Sequence, residues 1–218
     1  MVYEAVIFDR DGVLLDFDLQ AAEAFFSPLV SAPLTQLIEL WRAYGRRVGF
    51  PQDLEEERAF WRGVWRYVSD ELELDEETEE RLHQFDYTSI LYAYDDALPA
   101  LQLCRRHGLR TAVLSNFSLA SIDASLQATG LANAVDFAAA ATVIGASKPE
   151  PAAYEFVTDC LGVSPTACLL FDNKQKHVAG ARHLGMTAYV VDRRRREHDV
   201  ARGIIRDLSA LEQILLQG

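Results

Sequence analysis

Five short apolar runs, each breaking off into polar residues, constrain this chain more than any other feature. Val2–Phe8 runs into Asp9, Arg110–Leu114 into Ser115 and Asn116, Ala167–Phe171 into Asp172 and Asn173, and Thr187–Val191 into Asp192, with Val135–Ala138 a weaker case. Runs this short and this continuously apolar suit strands covered on both faces. Helical patterns separate them. Leu98, Leu101 and Cys104 recur at helical spacing before Gly108. Ser118–Thr129 reads as a helix stopped by Gly130, Pro151 opens another that Gly162 stops, and Ala179–Leu184 ends at Gly185. Strands alternating with helices predict right-handed crossovers and a parallel sheet.

The stretch from about Leu19 to Tyr92 is different and contains no clear strand. Leu34, Leu37, Ile38 and Trp41 form an apolar stripe at helical spacing. Asp53 precedes Glu55-Glu56-Glu57, an N-cap with acids in the first turn, and Trp61, Val64, Trp65 and Val68 continue that helix. Asp75 opens another acidic first turn leading to Leu82 and Phe85. The pattern predicts a helical bundle inserted after the first strand. All the tryptophans lie there (Trp41, Trp61, Trp65), and packing the bundle's own core accounts for them better than lining a ligand site. Arg42, Arg46 and Arg47 read as a solvated helix face.

Charge and cysteine content narrow the classes. Acidic residues outnumber basic ones, 33 to 21, for a net charge of −12. Such a field repels phosphate backbones, so nucleic acid is not an expected partner. An enzyme of this charge acting on an anion needs local positive charge, from a metal or a placed lysine. The run Arg193–Arg196 reads as a solvated loop. No apolar run approaches the roughly 20 residues that span a bilayer, so no membrane is expected. The start Met1-Val2-Tyr3-Glu4 lacks a signal-peptide pattern, and Cys104, Cys160 and Cys168 show no metal-ligand spacing, so a cytoplasmic chain with reduced thiols is expected.

The chemistry concentrates at the strand ends. In Phe8-Asp9-Arg10-Asp11-Gly12 two carboxylates stand two residues apart where the first strand stops, and Gly12 permits an abrupt turn. Open α/β folds bind ligands at such ends. A carboxylate pair repels itself unless a cation or proton intervenes, and magnesium suits oxygen-only ligands. An ordinary Asp-Gly turn accounts for the same letters. A calcium loop fits less well, because the glycine comes too early. Ser115-Asn116 offers groups that bind phosphoryl oxygens, or equally a helix N-cap. Lys148, held between Gly145 and Pro149, is placed to neutralise a transferring phosphate, although a lone lysine is more often a surface residue.

Taken in order, these segments resemble the motifs of the haloacid dehalogenase (HAD) superfamily. Asp9-x-Asp11-Gly12-Val13 looks like its first motif, Leu114-Ser115-Asn116 its second, Ser147-Lys148-Pro149-Glu150-Pro151 its third, and Leu170-Phe171-Asp172-Asn173 its fourth. The resemblance implies an α/β fold with a Rossmann-like parallel core, residues 1–16 and 93–218, and an inserted helical cap, residues 17–92, of the C1 type. It implies a phosphohydrolase acting on a small phosphorylated metabolite through an aspartyl-phosphate. Asp9 would be the nucleophile, Asp11 the acid and base, and Ser115, Asn116 and Lys148 the phosphate ligands, with Lys148 also catalytic. Mg²⁺ would be held by Asp9, the Asp11 carbonyl, Asp172 and Asn173. A monomer or homodimer is expected.

The fourth motif departs from the family's pattern of two acids four residues apart. Counting from Asp172 puts Lys176 second. Counting back from Ala181-Arg182-His183-Leu184-Gly185-Met186 puts Asn173 first and His177 second, and this register anchors more residues. An amide in place of a carboxylate ligates magnesium without the full charge. Two other readings remain. One is a 2-haloacid dehalogenase, which uses the same first aspartate but has no need of Asp11. The other is a catalytically weakened HAD-fold protein that binds a ligand or partner.

Overall fold

The computed structural model of the chain describes residues 3–217. The chain runs β1 (Ala5–Phe8), β2 (Leu15–Phe17), then helices α1 (Leu19–Phe26), α2 (Leu34–Val48), α3 (Leu54–Leu72) and α4 (Glu76–Leu82). It continues with β3 (Leu91–Ala93), α5 (Ala97–Arg106), β4 (Arg110–Ser115), α6 (Ile122–Ala128), β5 (Phe137–Ala140), α7 (Ala141–Ile144) and α8 (Pro151–Leu161). It closes with β6 (Cys168–Asp172), α9 (Gln175–His183), β7 (Thr187–Val191), β8 (Ile204–Ile205) and α10 (Leu211–Gln217).

Six strands form one parallel sheet in the order β5-β4-β1-β6-β7-β8. Strand β1 is central because it is buried on both faces. Val6 and Phe8 face one apolar layer, Ala5 and Ile7 the other, and all are fully buried. A fully buried side chain of this size contributes about 1.5–3 kcal/mol, which is why the most apolar run takes the middle. The chain order reverses at β1, so a crevice opens at the strands' carboxyl ends there. Phe8 is level with Phe171 and Val113, which sets Asp9, Asp172 and Ser115 at that one edge.

Helices α1–α4 surround a separate core of Phe26, Phe60, Val64, Trp65, Val68 and Leu82. Asp53 accepts from the N–H groups of Glu55 and Glu56, and Asp75 accepts from that of Thr78, capping α3 and α4 as their sequences predict. Trp61 stacks on Trp65 at 5.6 Å, so these aromatics fill the helical layer. Arg42 pairs with Glu39 on an exposed face.

Several expectations are corrected. The inserted stretch is not free of strand: Leu91–Ala93 pairs antiparallel with Leu15–Phe17, a ribbon too short for periodicity to show. The helix expected from Ser118 begins at Ile122, because the Ser121 N–H and hydroxyl are bound by Glu57 of α3. The third strand lies at Phe137–Ala140, shifted two residues along from Val135–Ala138. The strand expected from Val2 begins at Ala5, with Val2 outside the described residues. In the arginine run, Arg194 is solvated but Arg193 is a clamp. It donates to Gly12 O and Val13 O, pairs with Asp96, and lies 3.5 Å over the Tyr94 ring. No helix among the described residues is long and apolar enough to cross a membrane.

Candidate active site

Two carboxylates and one lysine meet at the carboxyl end of β1, with Asp11 two residues beyond the first of them. The Lys148 ammonium donates to Asp9 Oδ1 at 2.8 Å and to Asp172 Oδ2 at 2.6 Å. Both lysine and Asp172 are buried, and Asp9 is 8% exposed. The second oxygen of Asp9 accepts no hydrogen bond among the described residues, which leaves it available as a nucleophile.

The lysine is placed by its backbone. Asn116, just past β4, accepts from the Lys148 N–H and donates Nδ2 to the Lys148 carbonyl, each at 2.8 Å. Its side chain is therefore spent on the lysine and not open to phosphate. The backbone N–H groups of Asn116 and Phe117, and those of Arg10 and Asp11, donate no backbone hydrogen bond among the described residues. Amides of this kind, gathered at two strand ends, suit phosphoryl oxygens. Ser115 ends β4 beside them and is buried.

Asp172 is similarly engaged. Besides Lys148 it takes the Lys174 N–H at 2.8 Å and His177 Nδ1 at 3.0 Å from each carboxylate oxygen. It anchors the lysine and is not free to ligate a metal. His177 is buried on α9 while Lys176 is exposed, so the geometry matches the register with Asn173 first and His177 second. Asn173 Nδ2 donates to the Asp11 carbonyl at 2.8 Å. That approach needs Gly12: a Cβ there would lie 2.3 Å from Asn173 Nδ2, and its φ of 76° disfavours other residues.

Burial governs the protonation of this cluster. It pushes Asp9 up to about 6, with Lys148 pulling the other way. Burial also raises Asp11, against the pull of Arg10. For Lys148 burial opposes the charge, but Asp9 and Asp172 outweigh it and hold the ammonium above its ordinary value. Burial would raise Asp172 too, yet the His177 hydrogen bond and Lys148 bring it below the usual carboxylate range.

Among the described residues no three acidic, histidine or cysteine side chains gather as metal ligands. The oxygen donors are instead the Asp9 carboxylate, the Asp11 carbonyl and Asn173 Oδ1. Asn173 Oδ1 is buried without a hydrogen-bond partner, as an oxygen awaiting a cation is. The set fits a hard divalent ion that keeps several of its waters, although with one carboxylate only.

Sequence reasoning missed two groups at the site. Arg10 is fully buried beside Asp11, and Glu57 reaches from α3 to bind Ser121. Arg10 was visible between the two aspartates; nothing in the sequence paired Glu57 with Ser121.

Comparisons with known proteins place the whole chain among its relatives. The phosphatase MT3486 of Mycobacterium tuberculosis (strain CDC 1551 / Oshkosh) is 39% identical over 219 residues, covering 99% of this chain and 98% of that one. (S)-2-haloacid dehalogenase 1 of Pseudomonas sp. (strain CBS-3) is 28% identical, covering 98% and 96%. The crystal structure of a HAD phosphatase from Thermococcus onnurineus superposes with a TM-score of 0.64 at 25% identity, covering 97% of each chain. Residues 3–185 match the haloacid dehalogenase-like hydrolase family, and the chain belongs to it.

Proposed function

We propose that this hydrolase removes phosphate from a small phosphorylated metabolite, with Mg²⁺, through an aspartyl-phosphate at Asp9. The observation that carries the reading is Asp11, a second acid two residues beyond Asp9, whose carbonyl accepts from Asn173 and whose carboxylate pairs with Arg10. A leaving alkoxide needs a proton donor, and a leaving halide does not. The phosphatase relative supports the same choice.

The chain's own groups account for each step. The free Asp9 oxygen attacks phosphorus while the ester P–O bond breaks, and the departing oxygen takes the proton from Asp11. Burial, which raises Asp11, favours its holding that proton. Asp11 then removes a proton from water, which attacks the phosphorus and restores the Asp9 carboxylate. Lys148, held by Asn116 and Asp172, stays opposite the equatorial oxygens, and Ser115 with the neighbouring amides binds them. Asp9, the Asp11 carbonyl and Asn173 would hold a magnesium ion, which would supply neutralisation of the negative charge at the nucleophile. Helices α1–α4 serve as a cap that keeps bulk water away during transfer.

The test is a panel of phosphate esters assayed with Mg²⁺ and with chelator, beside Asp9→Asn. Metal-dependent phosphate release that the variant loses is the expected result; equal release by the variant removes Asp9 from its role. The dehalogenase relative and the irregular fourth motif favour a second reading, 2-haloacid hydrolysis. Chloride release from 2-chloropropionate without phosphate release would establish that one instead.

A further inference from the structure

Arg10 takes no part in the chemistry above, yet its side chain is 0% exposed. Its Nε donates to Asp11 Oδ1 at 2.9 Å. Nη2 lies 2.8 Å from the same oxygen but at an angle that makes no hydrogen bond, and neither Nη1 nor Nη2 has a partner. The guanidinium carbon sits 3.5 Å from the Phe117 ring centroid and 5.8 Å from that of Phe17. Phe117 follows the Ser115–Asn116 end of β4, and Phe17 ends β2 at the root of the helical layer. A guanidinium paired with Asp11 through one oxygen, its Nη donors unspent, is therefore buried where core and helices meet, next in sequence to the nucleophile.

Burying such donors is costly, and the aromatic face offsets only part of the cost. An acceptor that arrives with the substrate would satisfy them. The transferring phosphoryl group already has Lys148 and the free amides, so Arg10 is surplus to it. The two Nη nitrogens form one edge of a planar fork, which matches the two oxygens of a carboxylate.

We infer that Arg10 binds a carboxylate carried by the phosphorylated substrate, so that the substrate class is the phosphate esters of short hydroxy acids. This rests on the phosphatase reading and narrows it. The skeleton must be short, because Arg10 touches Asp11, the group that protonates the ester oxygen.

The test compares phospholactate with isopropyl phosphate, the same skeleton with and without the carboxylate. The wild-type kcat/KM should favour phospholactate by about ten- to a hundredfold, the range for charge-assisted hydrogen bonds. The ratio should collapse toward one in Arg10→Met and take an intermediate value in Arg10→Lys, which keeps the charge without the fork. A wild-type ratio near one, or a ratio unchanged in folded Arg10→Met, overturns the proposal. If Arg10→Met does not fold, a full wild-type ratio in Arg10→Lys overturns it. Calorimetry of both esters on Asp9→Asn reads recognition without turnover. If neither ester is hydrolysed the phosphatase reading falls, and calorimetry still decides Arg10: equal affinities overturn it, tighter phospholactate binding lost with Arg10 supports it.

Discussion

Asn173 donates its amide N–H to the Asp11 carbonyl at 2.8 Å, joining the end of β6 to the end of β1 across 162 positions of chain. The bond brings the amide oxygen, which has no partner, to the place where a second metal carboxylate would stand. Asn173→Asp should raise Mg²⁺ affinity by about tenfold or more, since it adds a full negative charge beside the ion. It also removes the hydrogen bond, so the metal-free variant should lose about 1 kcal/mol of stability and regain it with Mg²⁺. Calorimetric titration and thermal melts with and without the ion check both; an unchanged metal titration would count against Asn173 as a ligand.

Asp9→Asn should stabilise the metal-free protein in a pH-dependent way. Burial raises Asp9 from 3.8 to about 6, so the folded state holds its proton more tightly than the unfolded state. Wild-type stability therefore falls as pH rises from about 4 to 6, and the amide has no such loss. The variant's stability relative to wild type should therefore rise as pH rises from about 4 to 6. Denaturant melts in chelator across that range provide the measurement, and a constant difference would contradict it.

Asn116→Ala should lower turnover without touching a reacting atom. It frees the Lys148 main chain, whose N–H and carbonyl each lose a 2.8 Å partner. We expect kcat to fall about ten- to a hundredfold as the ammonium wanders from Asp9, with about 1–3 kcal/mol of stability lost. Activity kinetics beside a melt separate the two effects; wild-type kcat in the folded variant would refute the clamp.

Glu57→Ala should loosen the helical layer from the core. Glu57 is 6% exposed and takes both the N–H and the hydroxyl of Ser121, which Tyr87 also contacts. Removing it leaves the Ser121 N–H buried and unpaired, with Tyr87 still on the hydroxyl, at about 1–3 kcal/mol. Faster hydrogen exchange at residues 118–125 than in wild type is the local signature; unaltered exchange there would argue against the link.

The strand ends were legible because each combines two local signals, an apolar run and the polar residue that stops it. Asp9, Ser115 and Asp172 are recoverable from that pattern alone, since a buried parallel sheet has only one end at which such residues face a crevice. Lys148 was legible from its confinement between Gly145 and Pro149. The caps of α3 and α4 were equally local, each resting on one aspartate and the acids after it.

Local sequence thus sets the alternation of strands and helices, the helical stretch between the first core strands and the acidic residues of the site. Those follow from periodicity and short-range sterics, which act over a few residues. The division of labour within the cluster was decided only by tertiary structure. Asn116 and Asp172 carry groups fit for phosphate and metal, yet both are spent on holding Lys148, and Arg10 is left buried with open donors. A side chain's partners depend on which distant segments arrive beside it, and no local pattern encodes that.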